Sequence, residues 1–298
     1  MRSQRVRVDG ASLAISYSPA GSTAIVALHG ASAGTRSHPL YRHLHDVLPP
    51  MGIGVATFDR RGEGASSGEA SVGRFELQAR DALAVAAALD VERIGLWGFS
   101  QGGWVAPLAA SISSRVGFLV LVASTGVSPA SQMVYAAEQQ IRRAGFGPEA
   151  VRRALALRRG VEAWIRRPEP AAGVRLLTEL RGARGEPWWD LAFLPAELPG
   201  PEDRAAWLAE MDFDPIPVFA AVRVPTIAFY GADDAWTPVK PSVEAWRRAQ
   251  GGAAEVVVIP GASHELTLAD GRLAPRYEER LVAWLEALAR PRRGGPAP

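Results

Sequence analysis

The chain of 298 residues contains no cysteine, which excludes disulfide bridges, thiolate nucleophiles and thiolate metal ligands. Lysine is nearly absent too, because Lys240 is the single lysine among 33 basic residues. The arginines are spread along the chain and the formal net charge is only +2, so we predict no nucleic-acid partner. No apolar run approaches the roughly 20 residues of a membrane span, and no secretory signal pattern is present. We expect a cytoplasmic protein without membrane contact, and nothing here indicates an oligomeric state.

The order of apolar segments predicts an α/β fold. The hydrophobic fraction of 48% and the charged fraction of 21% are typical of a globular protein. Short β-rich runs alternate with segments of helical period, which predicts a mostly parallel sheet of about eight strands with helices on both faces. The predicted strands are residues 5–8, 14–17, 24–28, 54–58, 93–97, 118–122, 226–230 and 255–259. The predicted helices are residues 41–48, 75–89, 103–111, 239–249 and 277–289.

The alternation stops at residues 125–214, which carry helical periods, many arginines and prolines. Strand-like segments resume directly afterwards, so we expect a helical cap inserted into a core made of residues 1–124 and 215–290. A separate second domain is the alternative. Residues 291–298 are rich in proline, glycine and arginine, and we expect a flexible tail there.

Ser100 lies in a Gly-Phe-Ser-Gln-Gly segment between a predicted strand and a predicted helix. A serine on such a sharp turn has a strained backbone and an exposed Oγ, and side chains at positions 98 and 102 would collide with neighbouring backbone. Glycine at both positions fits this requirement. The helix that follows directs N–H groups towards the site, and the N–H of Gln101 is the first candidate to stabilise an oxyanion. An ordinary serine in a tight turn is the alternative.

Acid and base candidates follow two later strands, in the order expected for a Ser-Asp-His triad. Asp233 and Asp234 come after one strand and His264 comes after the next. Because open α/β sheets hold their sites beyond the carboxyl ends of the strands, these side chains are expected to meet Ser100. His264 would take the proton of Ser100 and return it to the leaving group, while a carboxylate fixes the imidazole tautomer.

The segment His29-Gly30-Ala31 follows the strand at residues 24–28. This place supplies the second oxyanion donor in such architectures, and the N–H of Ala31 is the candidate. His29 is then expected to be structural and to hold the loop by hydrogen bonds. An ordinary turn is the alternative.

Two other patterns are weighed and set aside. The histidines at 38, 43 and 45 are expected to be solvated helix residues, since no acidic or thiolate cluster accompanies them, and no metal is predicted. The glycines at 62 and 64 could cradle phosphate, but the six-residue dinucleotide spacing fails at Ser67. Pro107, inside a predicted helix, is expected to cause a kink.

Together these motifs resemble the α/β-hydrolase superfamily, and the elbow helix resembles that of bacterial carboxylesterases and serine-aminopeptidase-like hydrolases. The pattern around the acid in that superfamily selects Asp234, with Asp233 second. The resemblance implies acyl transfer to water through an acyl-enzyme on Ser100, without metal or organic cofactor. The features that carry it are His29-Gly30, the loop at 59–66, the elbow at Ser100 and the loops of Asp234 and His264.

We expect hydrolysis of carboxylic esters of small to medium apolar substrates. Four tryptophans are expected to line the pocket, with ordinary packing as the alternative: Trp104, Trp188, Trp189 and Trp236. An amidase or aminopeptidase with the same triad is the second hypothesis, and it needs a cap acid for the substrate amine. The candidates for that acid are Glu138, Glu186, Glu197 and Glu202. A non-catalytic binding protein of the same fold is the third hypothesis, and transacylase or perhydrolase chemistry would use the same residues.

Overall fold

The computed structural model describes residues 1–32 and 34–290, so the tail expected at 291–298 lies outside the described residues. Within the described residues, eight strands form one sheet in the order β1-β2-β4-β3-β5-β6-β7-β8. The strands are β1 (Arg2–Val8), β2 (Ala11–Ser18), β3 (Thr23–Leu28), β4 (Ile53–Phe58), β5 (Arg93–Phe99), β6 (Val116–Val122), β7 (Thr226–Gly231) and β8 (Glu255–Ile259). Pairing is antiparallel for β1 with β2 and for β2 with β4, and parallel from β4 to β8. The mostly parallel sheet predicted from the sequence is confirmed.

The N-terminal hairpin turns at Asp9 and Gly10, whose φ angles are +44° and +76°. Two successive left-handed residues match the twist of a hairpin, and Asp-Gly is a common sequence for such a turn. The hairpin adds the antiparallel edge of the sheet, and its turn lies beyond the carboxyl end of β4, where Arg61 donates to the carbonyl of Asp9.

Helices cover both faces of the sheet, as predicted. The helices are α1 (Pro39–Val47), α2 (Phe75–Ala87), α3 (Gly102–Ile112), α4 (Pro129–Arg143), α5 (Pro148–Arg166), α6 (Pro170–Ala183), α7 (Pro201–Met211), α8 (Pro215–Ala221), α9 (Val239–Gln250) and α10 (Pro275–Ala289). Neighbouring residues of a strand point to opposite faces. On β5, Leu96 belongs to the hydrophobic cluster with α2, α3 and α9, whereas Trp97 belongs to the cluster with α1 and α10.

Pro107 lies inside α3, and its effect is visible in the hydrogen bonds. Proline has no N–H, so it leaves the carbonyl four residues earlier, that of Gly103, without its helical partner. The hydroxyl of Ser124 donates to the Gly103 carbonyl oxygen over 2.8 Å. The proline therefore frees a carbonyl that ties α3 to the end of β6, because buried backbone oxygens need a donor.

Residues 125–214, the helical segment, contain α4, α5, α6 and α7 between β6 and α8. They have a hydrophobic cluster of their own, formed by side chains such as Ile141, Leu155, Ile165 and Leu180. In contrast, Phe219 of α8 is buried in the sheet cluster, where it stacks on Trp246 of α9 with ring centroids 4.0 Å apart. None of the helices in the described part of the chain is long and apolar enough to cross a bilayer.

Candidate active site

Ser100 lies between β5 and α3 with a φ of +51°, in the left-handed region that L-residues other than glycine rarely adopt. The flanking glycines meet the predicted backbone crowding. A Cβ at Gly98 would collide with the carbonyl oxygen of Gly102, and a Cβ at Gly102 would lie 2.8 Å from the carbonyl oxygen of Leu28. The backbone approaches so closely here that only glycine fits on either side of the serine.

His264 is paired with Asp234. The Nδ1 atom of His264 lies 2.8 Å from Oδ2 of Asp234, whose side chain is fully buried. The other carboxylate oxygen accepts the backbone N–H groups of Trp236 at 2.6 Å and Thr237 at 2.8 Å. These bonds fix the carboxylate, which in turn fixes the imidazole with Nε2 directed away from the acid.

Asp233, the alternative acid, has a different environment. It is exposed, and its backbone N–H donates to the carbonyl of Ala262 over 2.9 Å, while its own carbonyl accepts from Arg143. Its main chain therefore joins the two loops that follow β7 and β8. Only Asp234 of this pair presents a carboxylate to His264.

The His264 ring lies next to the elbow. Its centroid is 5.1 Å from that of Phe99, the residue before Ser100. Among the described residues, no hydrogen bond joins Ser100 Oγ to His264. Hydrogen bonds in active sites are often long before substrate binds and shorten in the complex, so the relevant observation is the contact of the His264 ring with Phe99, the residue before Ser100.

The two candidate oxyanion donors lie on either side of Ser100. A Cβ on Gly30 would be 3.5 Å from Ser100 Cβ, so the loop that carries Ala31 borders the serine. Gln101 follows Ser100 directly and caps α3. Within the described part of the chain, the N–H groups of Ala31 and Gln101 have no hydrogen-bond acceptor, which leaves both available to a ligand.

His29 holds this loop from below. It is 2% exposed, and its Nε2 hydrogen-bonds the carbonyl oxygen of Phe58 over 2.5 Å. Burial lowers the pKa of His29 from 6.5 to about 4, partly offset by this hydrogen bond. The ring is therefore neutral at pH 7 and acts as the expected structural link between β3 and β4.

Two of the four tryptophans expected at the pocket are packing residues, and the expectation is corrected for them. Trp104 is 3% exposed, packs against Phe75 and Phe213, and donates its indole N–H to the Thr125 carbonyl over 2.6 Å. Trp188 is 2% exposed and belongs to the cluster inside the helical segment. Wide apolar rings fill cores as readily as pockets, and sequence does not separate the two cases.

The other two tryptophans are half-buried. Trp189 packs against the cluster of the helical segment. Trp236 lies between the two parts of the chain, with its ring centroid 6.4 Å from that of His264 and 5.3 Å from that of Phe193. Trp236 therefore connects the imidazole with the helical segment.

A cavity of about 270 Å³ opens in the helical segment beside Phe193. Its walls are mostly apolar, but three charged side chains reach it: Arg158, Glu162 and Glu210. Ser100, Asp234 and His264 are not among its lining residues. The lining residues are Pro129, Ala130, Met133, Arg158, Val161, Glu162, Ile165, Phe193, Leu194, Pro195, Trp207, Glu210 and Met211.

The charged groups of the cavity have shifted pKa values. Burial raises the pKa of Glu162, and Arg158 acts in the opposite direction, with its Nε 3.2 Å from Oε1 of Glu162. Burial also raises the pKa of Glu210, while the charge of Arg60 lowers it. Arg158 donates to the carbonyls of Ala192 and Phe193, which anchors it at the cavity wall.

Glu162 and Glu210 are the acids that the structure places at the cavity. None of the four acids named from the sequence as candidates for binding a substrate amine lines it. Three of the four form ion pairs with arginines: Glu138 with Arg142, Glu186 with Arg153, and Glu197 with Arg181. Glu202 is exposed in the first turn of α7. The signal for Glu162 was its position on the apolar face of α5, beside Val161 and one turn before Ile165.

The histidines of α1 are half-buried rather than solvated, which corrects the expectation. His38 caps α1, and its ring lies 5.4 Å from that of Phe99. His43 packs on Tyr277, and His45 hydrogen-bonds Ser18. No group of three or more potential metal ligands occurs in residues 1–32 and 34–290.

Known proteins share this fold. Among solved structures, the proline iminopeptidase from Mycobacterium smegmatis aligns with a TM-score of 0.65 at 17% identity, over 96% of this chain and 98% of the other. A thermophilic esterase from Thermogutta terrifontis aligns with a TM-score of 0.58 at 20% identity, over 97% of this chain and 100% of the other. A bromoperoxidase from Bacillus anthracis aligns with a TM-score of 0.62 at 18% identity, over 96% of this chain and 100% of the other. At these identities the likeness concerns the fold.

The model of the alpha/beta hydrolase family matches residues 25–276, a stretch that includes Ser100, Asp234 and His264 as well as the helical segment. Because this match spans most of the chain, the protein belongs to the alpha/beta hydrolase family.

Proposed function

We propose that the protein is a serine hydrolase that cleaves carboxylic esters through an acyl-enzyme on Ser100. The observation that carries the proposal is the buried Asp234 carboxylate, 2.8 Å from His264 Nδ1, with the imidazole beside the strained elbow of Ser100. A strained serine, a fixed imidazole and N–H groups that have no acceptor among the described residues together form the arrangement that acyl transfer requires.

The steps follow from this geometry. Ser100 Oγ attacks the substrate carbonyl carbon, while His264 Nε2 accepts its proton. The N–H groups of Ala31 and Gln101 stabilise the oxygen that becomes negative. The C–O bond to the leaving group then breaks, and His264 protonates the departing alcohol. Water repeats the attack with His264 as base, which releases the acid and restores Ser100.

The helical segment acts in this proposal as a cap that selects the substrate. Its helix α4 reaches the acid loop, because Tyr135 donates to the carbonyl of Asp234 over 3.0 Å and Arg143 to that of Asp233. The neighbouring rings of Trp236 and Phe193 lead from His264 to the apolar cavity. A small or medium apolar acyl or alcohol group fits a cavity of about 270 Å³.

An amidase or aminopeptidase is the second candidate. It is favoured by two carboxyl groups in the cavity, that of Glu162, which is buried, and that of Glu210, which is half-buried. A substrate ammonium group would neutralise Glu162 or Glu210, whose pKa values burial raises. One of the proteins with a similar fold is a proline iminopeptidase. This candidate uses the same Ser100 chemistry and differs in what the cavity recognises.

A fluorophosphonate probe and two substrate series test the proposal. We expect the native protein to be labelled and the Ser100→Ala variant to remain unlabelled. We expect p-nitrophenyl butyrate to be hydrolysed far faster than aminoacyl p-nitroanilides. Equal labelling of the Ser100→Ala variant, or no labelling of the native protein, contradicts the mechanism. Strong anilide turnover with negligible ester turnover contradicts the ester preference.

The Glu210→Gln variant separates the two candidates, with Glu202→Gln as a matched control on the same helix α7. If the cavity binds an ammonium group, the Glu210→Gln variant raises the KM for aminoacyl anilides and the control does not. If it binds an apolar group, loss of the carboxylate leaves the KM for butyrate esters unchanged or lower, because burying a charge opposes apolar binding.

A further inference from the structure

Two adjacent arginines follow β4, and they point to different parts of the molecule. Arg61 forms a buried pair with Asp81, with Nη2 2.5 Å from Oδ1, and donates to the carbonyls of Val8 and Asp9. Arg60 points the other way, towards the residues around Ser100. It is as deeply buried as Arg61, with 2% of its surface exposed.

The guanidinium of Arg60 contacts both predicted oxyanion residues. Its Nη1 donates to the carbonyl oxygen of Gly30 at 3.0 Å, and its Nη2 donates to that of Ala31 at 2.7 Å. Nη1 also lies 3.5 Å from the side-chain oxygen of Gln101. The carboxylate of Glu63 holds the guanidinium from the other side, 2.6 Å from its Nε.

The bond to Gly30 determines the direction of a neighbouring N–H. The carbonyl of Gly30 and the N–H of Ala31 belong to one planar trans peptide unit, so they point in opposite directions. Arg60 therefore fixes the plane in which the Ala31 N–H lies. A cation on the carbonyl oxygen also polarises the peptide and strengthens the N–H as a donor.

The second donor residue is held in the same network. The side-chain oxygen of Gln101 accepts from Nε2 of Gln78 over 3.0 Å, and Gln78 also donates to the Ser71 carbonyl over 2.7 Å. Gln101 itself is 3% exposed. Its side chain is thus held by Gln78 and Arg60, which limits movement of its backbone N–H.

We infer that Arg60 is a positioning residue that aligns and polarises the oxyanion donor of Ala31 and helps to hold the side chain of Gln101, the second donor residue. The inference rests on the proposed function, since it needs an oxyanion at Ser100. Arg60 acts where negative charge develops in the tetrahedral states of both acylation and deacylation. It therefore contributes to kcat. Its charge also lowers the pKa of Glu210 in the cavity, but an apolar ester forms no ion pair with that carboxyl, so we expect little change in KM.

The test compares Arg60→Met with Arg61→Met, two substitutions of buried arginines next to each other in sequence. Rates with p-nitrophenyl butyrate are divided by the fraction of sites that a fluorophosphonate labels, which removes the effect of misfolded protein. We expect Arg60→Met to lower kcat roughly 100-fold, the size of effect seen when an oxyanion donor is lost, with KM changed less than about twofold. Arg61→Met should lower the Tm but keep kcat within about threefold of native.

Two further measurements exclude a purely structural role. We expect Arg60→Met to weaken binding of a trifluoromethyl ketone, which forms a tetrahedral adduct, by the same factor as kcat/KM. The Arg60→Lys variant should recover part of kcat, because a point charge reaches fewer acceptors than the guanidinium fork. Native-like kcat per labelled site in Arg60→Met, or an equal loss in Arg61→Met, overturns the inference while the proposed function stands. Absence of labelling and turnover in the native protein overturns both.

Discussion

The sheet core and the helical segment hold their functional groups in place by different means. In the core, two of the three candidate catalytic groups are fixed by backbone, Ser100 by a left-handed φ of +51° and Asp234 by two N–H groups, and Asp234 in turn fixes His264. In the helical segment, the polar groups of the cavity are long side chains held by burial, by the ion pair of Arg158 with Glu162 and by hydrogen bonds from Arg158 to the carbonyls of Ala192 and Phe193. Backbone geometry leaves a trace in the sequence because it demands particular residues, whereas side-chain burial does not.

The largest expected effect tests the core side of this comparison. Replacing Asp234 with Asn keeps the shape but presents an amide to His264, which favours the wrong tautomer. We expect kcat to fall by about 10⁴, the loss found for the equivalent change in a serine protease triad. The exposed neighbour supplies the control: Asp233→Asn should keep kcat within about threefold. Ester hydrolysis by the two purified variants checks this, and equal losses would refute the assignment of Asp234.

The core and much of its site could be predicted because local rules coincide there. Strand periodicity located all eight strands, and the glycines beside Ser100 signalled the elbow. The choice between Asp233 and Asp234 needed the resemblance to the α/β-hydrolase superfamily, because a spacing rule cannot distinguish two adjacent carboxylates in one loop. The hydrogen bonds of Asp234 give the physical reason for that choice.

The cavity acids escaped prediction for the opposite reason. A glutamate on a helix is normally solvated, and nothing near Glu210 in the sequence shows that α7 turns it inward. None of the four acids chosen from the sequence lines the cavity, and three of them are paired with arginines. The pocket role expected for Trp104 and Trp188 has the same weakness. The size of a ring and its position in the chain do not show whether it packs against a neighbouring side chain or against a substrate.

Glycine substitutions compare the two regions directly. At Gly98 an added Cβ would collide with the Gly102 carbonyl oxygen, and its three nearest atoms are all backbone, which cannot move aside as a flexible side chain can. We expect Gly98→Ala to destabilise the fold by about 3 kcal/mol or more, as overpacking and backbone strain do. Gly182, near the end of α6, has open space around it. Gly182→Ala should stabilise by about 0.5–1 kcal/mol through helix propensity.

Urea unfolding of both alanine variants measures these effects. The comparison between regions predicts opposite signs at the two positions. A Gly98→Ala variant with native stability would mean that the elbow adapts to a side chain, which would weaken the argument from backbone crowding. A loss of stability in Gly182→Ala would show that this helix end is more constrained than its open surroundings indicate.

The buried His29 predicts how the core responds to acid. Its folded-state pKa of about 4 lies below the 6.5 of an ordinary histidine, so the unfolded chain binds more protons between these values. Stability is therefore complete above pH 6.5 and falls as the pH drops towards 4, by about 3 kcal/mol for this group. In a His29→Gln variant, whose amide can still donate to the Phe58 carbonyl, this part of the pH dependence should disappear.

Denaturant unfolding of native and His29→Gln proteins between pH 7 and pH 4 checks the sign and the size. The half-buried histidines of α1 also have pKa values lowered by burial, and they act in the same direction in both proteins. The difference between the two stability curves therefore isolates His29. Parallel curves would show that His29 titrates normally and does not hold the loop of Ala31 as a neutral ring.

The smallest effect is expected in the helical segment, at Trp207. This residue lines the cavity while it is 44% exposed, so its removal should change substrate selection with little change in stability. We expect Trp207→Ala to raise the KM for p-nitrophenyl octanoate about threefold to tenfold through lost apolar contact, and to leave acetate unchanged. Val174, 66% exposed and outside the cavity lining, gives the control Val174→Ala. If the KM values for acetate and octanoate rise equally in Trp207→Ala, the cavity does not hold the acyl chain, and selection at Ser100 belongs to the core instead.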